Sequence, residues 1–234
     1  MKKLLLYFLF YCFFFISFTL LEAQMLQLTS GRNLTISGGY TQSWVDGQYT
    51  KQFEYKSSTS SVEGLLIDVS YLTINSSDLF RLEKGLRYIN RGFDYRGEFD
   101  GYDSDDNPYL YKASVKQELD YLDFYVNYVP ELNYTDDFPI RYYPFFGVGA
   151  SYLLRAKDYW HIYEPEQQNY SINNHNFYYR FNFIIQLGTE LTFYDFISLK
   201  AEYNRSLNYI MKFDEWSNNK AFINSFLVSL GLKI

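Results

Sequence analysis

Two adjoining segments near the C-terminal end of the chain alternate between apolar and polar residues. In the stretch QLGTELTFYDFISLKAEYN, every second side chain from Leu187 to Phe193, and again from Ile197 to Tyr203, is mostly apolar. The positions between them carry charged, amide and hydroxyl side chains. A period of two on both sides of a tight turn predicts a β-hairpin with one apolar face and one polar face.

Segments with the same period of two recur along the rest of the chain. They cover residues 33–45, 64–73, 79–92, 116–131, 140–156, 177–193, 196–210 and 222–234. No stretch after residue 24 shows a convincing helical period. The pattern predicts an all-β fold with eight strands.

The connections between these segments alternate in length. Three are short, at residues 74–78, 133–139 and 194–195, and four are long, at residues 46–63, 93–115, 157–176 and 211–221. Short turns at one end and long loops at the other are typical of barrels in the bacterial outer membrane. We therefore predict an eight-stranded antiparallel up-and-down transmembrane β-barrel.

The polar and apolar faces of the barrel can be assigned to water and to lipid in two ways. In a soluble barrel of the lipocalin type the polar face would be outside, whereas in a membrane barrel the apolar face contacts lipid. The apolar face is nearly free of charge, with Lys84 and Arg205 as exceptions, and it carries Tyr or Trp near the strand ends. Aromatic residues make up 22 % of the chain, and such residues favour the two surfaces of a bilayer. These observations favour the membrane barrel, with Arg205 near its outer interface.

Charged residues of both signs share the polar face. From them we predict a lumen charge network of Asp68, Arg81, Glu83, Arg87, Asp123, Arg141, Arg180, Glu190, Lys200 and Glu202; Arg91, Arg155 and Lys233 are assigned to the same face. An eight-stranded barrel has an interior wide enough only for side chains. The charges are therefore expected to pair and to fill the lumen, with Lys200 paired to Glu190 or Glu202.

The first residues of the chain have the pattern of a secretory signal peptide. Lys2 and Lys3 precede a charge-free run from Leu4 to Leu21, and Ala23 is a small residue at the expected cleavage site. The alternative is a retained transmembrane helix, because the run is long enough to span a bilayer. We predict a signal peptide at residues 1–23 and an outer-membrane barrel domain at residues 24–234.

Few residues of the chain point to a reaction or a bound ion. Asp100, Asp103 and Asp105 are weak candidates for calcium ligands in the second long loop, where a solvated acidic loop is the simpler interpretation. His161, with Glu164 or Glu166, could form a catalytic dyad at the rim, but we predict no enzyme and no cofactor. The formal net charge of −6 argues against a nucleic-acid partner.

Five stretches resemble a known family of membrane barrels. They are FRLEKGLRYINRG (80–92), LDYLDFYVNYVPEL (119–132), FFGVGASYLLRAKDY (145–159), LKAEYNRSLNYI (199–210) and FLVSLGLKI (226–234). In this order and spacing they resemble the third, fourth, fifth, seventh and last strands of the PorT-like outer-membrane β-barrel proteins of Bacteroidota. Lys84-Gly85 departs from the Pro-Glu pair common there, and Ile234 ends the chain where Phe is frequent. The resemblance implies a barrel in the outer membrane and carries over no active site.

Three kinds of function are compatible with this sequence. The first is a structural or interaction barrel that displays its long loops to envelope partners or within a secretion assembly. The second is a narrow pore for a small solute, and the third is an enzyme with its site at the rim. Trp160 and Trp216 could anchor the loops at the membrane interface or bind a glycan or protein. We predict a monomeric barrel whose partners are outer-membrane lipid and envelope proteins.

Overall fold

The computed structural model describes residues 33–47, 58–74, 80–102, 108–130, 139–164, 167–211 and 221–234. The predicted signal peptide lies outside these residues. The strands are β1 (Leu34–Gly47), β2 (Ser58–Ile74), β3 (Phe80–Tyr102), β4 (Pro108–Pro130), β5 (Ile140–Glu164), β6 (Gln168–Asn173), β7 (Phe181–Phe193), β8 (Ile197–Ser206) and β9 (Ala221–Lys233). One turn of 3-10 helix, His175–Phe177, lies between β6 and β7.

The sheet closes on itself as an antiparallel barrel. Strands that follow one another in the chain pair with each other, except β6 and β7, and β1 pairs with β9. The short strand β6 and the strand β7 both pair with β5, β6 along Lys157–Ile162 and β7 along Ile140–Tyr152. They therefore share one position in the ring, which has eight strands. The predicted eight-stranded antiparallel barrel is confirmed.

Several strands are longer than the sequence pattern predicts. Residues 93–102 and 108–115, expected in a long loop, extend β3 and β4, and residues 157–164 extend β5. The sixth barrel segment begins at Phe181 instead of Phe177. The extensions of β3 and β4 were missed because Phe93, Tyr95, Ala113 and Val115 point inward, whereas the membrane-level segments have apolar side chains pointing outward.

The side chains that point out of the barrel at mid-height are apolar and exposed. Leu65, Val148, Leu187 and Leu230 have between 61 and 70 % of their surface accessible. Their neighbours in sequence point inward, where Asp68, Arg87 and Lys200 are buried, along with other polar residues. This distribution is the reverse of that in a soluble protein, and it is the one that a barrel surrounded by lipid requires.

Aromatic side chains pack against one another on the outward face toward both ends of the barrel. Tyr152 packs against Phe181 with ring centroids 4.9 Å apart toward the long-loop end, and Tyr128 packs against Phe146 at 5.1 Å toward the other end. Such rings favour the boundary between lipid and water. Lys84 lies outward between Tyr71 and Val126 in the sheet.

The two ends of the barrel differ in construction. At the short-turn end, β7 and β8 are joined by Tyr194–Phe196, and Phe196 N–H donates to the Phe193 carbonyl at 3.0 Å. At the opposite end, β3, β4, β5 and β6 continue as paired strands beyond the apolar band. We call this the outer end, because outer-membrane barrels have short periplasmic turns and long extracellular loops.

The outer end has an apolar interior. Phe93, Leu119, Leu153 and Ile223 are buried there, in a cluster that also contains Val45, Leu66, Ile89, Tyr121, Ala156, Tyr178, Ile210, Ala221 and Leu227. Asp158 is buried near this cluster, and the Asn174 side-chain amide donates a hydrogen bond to it at 2.6 Å. Burial raises the pKa of the Asp158 carboxyl above its usual value. The outer end is therefore packed like a small soluble barrel.

Candidate functional site: the charged interior

Arg87 is the centre of the charged interior of the barrel. Its guanidinium donates two parallel hydrogen bonds to the Glu202 carboxylate, at 2.7 and 2.9 Å, and lies 3.6 Å from Asp68. The guanidinium carbon also lies 4.7 Å from the centre of the Tyr125 ring, and the Tyr125 hydroxyl donates to Asp68 at 2.7 Å. Bidentate pairing of this kind fixes both partners in one geometry.

Lys200 joins this centre to a second carboxylate. Its ammonium donates to both oxygens of Glu83, at 2.9 and 2.8 Å, and lies 3.9 Å from Glu202. The Asn127 amide donates to Glu83 at 2.7 Å. Of the two glutamates expected as partners, Glu202 is therefore a distant contact, and the shortest contacts of Lys200 go to Glu83.

Arg91 forms a third ion pair closer to the outer end. It donates to the two oxygens of Asp123 at 3.1 and 2.5 Å and to the Ser151 hydroxyl at 3.3 Å. Its guanidinium carbon lies 5.4 Å from the centre of the Tyr121 ring. Within this network three buried cations, Arg87, Arg91 and Lys200, therefore face four buried carboxylates, those of Asp68, Glu83, Asp123 and Glu202.

The other predicted network residues lie away from this centre. Glu190 pairs with Lys233 at 2.6 Å, and Arg141 pairs with Asp195 at 3.2 Å at the short-turn end. Arg81 is half-buried, with its guanidinium carbon 5.6 Å from the centre of the Tyr143 ring. Arg180 is half-buried just before β7, and Arg155 faces outward.

A β-bulge explains why Arg155 points away from the interior. Asp120 pairs with Arg155 and Tyr121 pairs with Leu153, so that Leu154 is an extra residue in β5. Such a bulge changes the side of the sheet to which the following residues point. Leu154 and Arg155 are both exposed, and Ala156 and Asp158 point inward.

Sequence reasoning missed the uncharged members of the network. Tyr125 and Asn127 follow Asp123 at steps of two, so they share its face, and Gln186 donates a hydrogen bond to the Asn127 side chain. Gly85 allows the Tyr125 ring to cross the lumen, because a Cβ at Gly85 would lie 2.2 Å from that ring. The period of two places Tyr125 and Asn127 on the inward face, and it is the signal that could have identified them.

The interior leaves little free space near the short-turn end. A cavity of about 20 Å³ there is lined by Glu83, Tyr143, Glu190 and Lys233, along with other residues. About 10–15 Å³ is enough for one water molecule. The cavity has room for a single water and none for a solute.

The candidates for chemistry at the rim have ordinary partners or lie outside the described residues. Asp100 lies in β3, opposite Leu110 of β4, and Asp103, Asp105, Glu166 and Trp216 are not described. His161 hydrogen-bonds to Asn169, and Trp160 stacks on Tyr170 with ring centroids 5.9 Å apart. Within the described ranges, no group of three or more His, Cys, Asp or Glu is placed to hold a metal ion.

The exterior and the interior together define the class of protein. An apolar, lipid-compatible band encloses a charged interior in a closed antiparallel barrel, which makes this an integral β-barrel protein of the bacterial outer membrane. Separately, no helix in the described part of the chain is long and apolar enough to span a bilayer.

Comparison with known proteins finds likeness in fold only. No family model and no curated protein matches the chain. Ail, the attachment invasion locus protein of Yersinia pestis, is 14 % identical over 88 % of this chain and 100 % of that chain, with a TM-score of 0.43. Neisserial surface protein A is 10 % identical over 86 % and 97 %, with a TM-score of 0.43. OprG of Pseudomonas aeruginosa is 14 % identical over 87 % and 96 %, with a TM-score of 0.40.

Proposed function

We propose that the protein is a closed outer-membrane scaffold that presents its outer end to other proteins of the envelope. It carries neither a catalytic site nor an open channel in this proposal. The resemblance to PorT-like barrels suggests the setting, an envelope or secretion assembly, and remains a prediction. The PorT-like assignment rests on the five sequence stretches alone.

The packed charge network is the observation that carries this proposal. Arg87 extends across the lumen from β3 to Glu202 of β8, and Lys200 of β8 extends back to Glu83 of β3. These contacts join strands on different sides of the barrel through its centre. A permeating solute would have to separate buried ion pairs, and breaking one such pair costs about 3–5 kcal/mol.

The construction of the outer end supports a role in display. The β3–β4 hairpin and the β5–β6 pair extend beyond the apolar band as paired strands with an apolar core between them. A groove of about 250 Å³ between Arg96, Lys112 and Tyr163 opens on the outer surface. Paired strands hold such a surface in a fixed shape, which lowers the entropic cost of binding a partner.

Conductance in a planar bilayer tests the closed lumen. We expect the purified protein to give no steady current above the bare bilayer, and the variant Arg205→Gln, altered only on the outside, to behave in the same way. A steady open state in the unaltered protein would contradict the proposal. It would favour the alternative function, narrow-pore uptake of a small solute along the polar interior.

Site-specific crosslinking tests the display role. A photo-crosslinking residue at Arg96, whose side chain is 63 % exposed, should capture the same envelope protein as one at Lys112. A crosslinker at Tyr194, which is 80 % exposed on the short-turn end, is the matched control and should not capture that protein. Equal capture from both ends, or capture from neither, would contradict the proposal.

A further inference from the structure

The outward face of β4 and β5 changes character at one level of the barrel. On β4 the outward side chains are Val126, Phe124 and Leu122 at membrane height and then Asp120, Glu118 and Lys116. On β5 the exposed Leu154 is followed by the outward residues Arg155, Lys157, Tyr159 and His161. The change from apolar to charged residues marks the boundary between the acyl chains and the polar headgroups of the outer leaflet.

Arg155 is held rigidly at this boundary. Asp120 is buried and accepts hydrogen bonds from Arg155 Nε and from Asn90 Nδ2, both at 2.6 Å. The Arg155 side chain nevertheless remains 48 % exposed. Because its Nε is occupied by Asp120, the guanidinium has a fixed direction, and the exposed part of its planar fork is available to a ligand. A fixed guanidinium is well suited to bind phosphate.

Two lysines lie beside Arg155. Lys157 Nζ lies 4.6 Å from the centre of the Tyr159 ring, and Lys116 Nζ lies 2.9 Å from Glu118, which is also 3.9 Å from Arg155. The three cations Lys116, Arg155 and Lys157 face two carboxylates, those of Glu118 and Asp120. Asp94 of β3 lies opposite Lys116 and 3.5 Å from Arg96, so with these two residues included four cations face three carboxylates, an excess of one positive charge.

A groove of about 400 Å³ begins directly outside these cations. Its lining includes Tyr159, His161 and Tyr170, together with the polar side chains of Ser114, Asn169 and Ser171. Aromatic rings with a few hydroxyl and amide groups between them offer both flat apolar contacts and hydrogen bonds. This combination suits a sugar, whose rings have apolar faces and hydroxyl edges.

We propose that this face of the barrel binds a phosphorylated glycolipid of the outer leaflet. Along β5, groups suited to the acyl chains, the phosphates and the sugars of such a molecule lie side by side. Leu154 contacts acyl chains, Arg155 and Lys157 contact a phosphate, and the groove at Tyr159 holds the adjoining sugar. Lys116 adds charge to the phosphate position from β4. This site is separate from the charged interior and adjoins the groove proposed for protein partners, because Ser114 pairs with Arg96 in the sheet.

Native mass spectrometry of the protein released from micelles tests the site. The lipids to compare are a diphosphorylated diglucosamine glycolipid, the same lipid without phosphates, and phosphatidylglycerol. We expect the phosphorylated glycolipid to be retained about tenfold more than either of the others, equivalent to ~1.4 kcal/mol of binding free energy. The double variant Lys116→Gln, Lys157→Gln should abolish most of this preference, and it leaves the Arg155–Asp120 contact in place.

Two further variants distinguish this site from general attraction of anions. Arg205→Gln is the matched control, because Arg205 also faces outward near the boundary, on β8, where it lies 3.5 Å from Asp46. It should retain the glycolipid as the unaltered protein does. Tyr159→Ser should lower glycolipid retention and leave the weak phosphatidylglycerol signal unchanged.

Several outcomes would overturn the proposal. Equal retention of phosphatidylglycerol and the phosphorylated glycolipid would reduce the site to unspecific charge. Release of the glycolipid by millimolar inorganic phosphate would identify an anion site without a sugar component. An equal loss in Arg205→Gln would show that the β4–β5 face has no special role.

Discussion

The membrane-level half of the barrel and its outer end are built from the same strands with opposite patterns. Along β4, the inward residues Asp123 and Asn127 belong to the charge network, whereas Leu119 and Val115 point inward into the apolar core. The outward residues change in the other direction, from Phe124 at membrane height to charged residues beyond it. Along this one strand, the arrangement changes from apolar residues outside and polar residues inside to the arrangement of a soluble barrel, with polar residues outside and apolar residues inside.

This contrast shows that the surrounding medium determines which kinds of residue point outward. The inward residues need only pack against, or pair with, one another. Lipid disfavours charge on the exterior at membrane height, where Lys84 is an exception. Charges inside can then be accommodated where they are paired, as Arg87 is with Glu202 and Lys200 is with Glu83. Where water surrounds the barrel, apolar burial again drives packing, and the interior becomes apolar.

Among substitutions that test this contrast, we expect the largest loss of stability at Arg87. The variant Arg87→Ala leaves Glu202 and Asp68 buried without their main counter-charge, and we expect it to lower the free energy of unfolding by about 3–5 kcal/mol. Urea unfolding in lipid vesicles, followed by tryptophan fluorescence, measures this loss. Arg141→Ala is the matched control: its partner Asp195 is 54 % exposed, so the loss should be at most ~1 kcal/mol. Similar losses for the two variants would show that the interior is hydrated.

An arginine scan along the outward face of β4 locates the boundary itself. We expect Phe124→Arg to destabilise the barrel by about 2–4 kcal/mol, because Phe124 faces lipid between Leu86 and Ala150. Ser114→Arg, on the same face of the same strand but beyond the boundary, should change stability by less than ~0.5 kcal/mol. Unfolding in vesicles of fixed composition measures both. A large cost at Ser114 would mean that the bilayer extends further toward the outer end.

The sequence predicted the barrel well because its signals are local. The period of two, the short turn at Tyr194-Asp195 and the rhythm of loop lengths each depend on neighbouring residues. The partners inside the lumen depend instead on the stagger of strands around the barrel: Lys200 meets Glu83, which is 117 residues away, more closely than the adjacent Glu202. The bulge at Leu154, which turns Arg155 outward, also leaves no mark in the pattern of residue types.

We expect the smallest change in stability at the short-turn end, where local backbone geometry affects stability more than the surrounding lipid or water does. Tyr194 and Asp195 both have positive φ, 52° and 54°, as the two central residues of a type I′ turn require, and the bond from Phe196 N–H to the Phe193 carbonyl closes that turn. Tyrosine is poorly suited to this conformation and asparagine is well suited to it. We therefore expect Tyr194→Asn to raise the free energy of unfolding by about 1 kcal/mol, measured by urea unfolding in vesicles.

Two control variants separate the backbone effect at Tyr194 from a membrane effect. Tyr194→Phe keeps the strained backbone and the ring and should change stability little, whereas Tyr194→Gly should relieve the strain as asparagine does. If the asparagine and glycine variants are both less stable than the unaltered protein, the exposed Tyr194 ring anchors the barrel in the lipid interface. The lipid interface would then reach the turn itself. The part of the barrel with apolar residues outside would include the whole short-turn end.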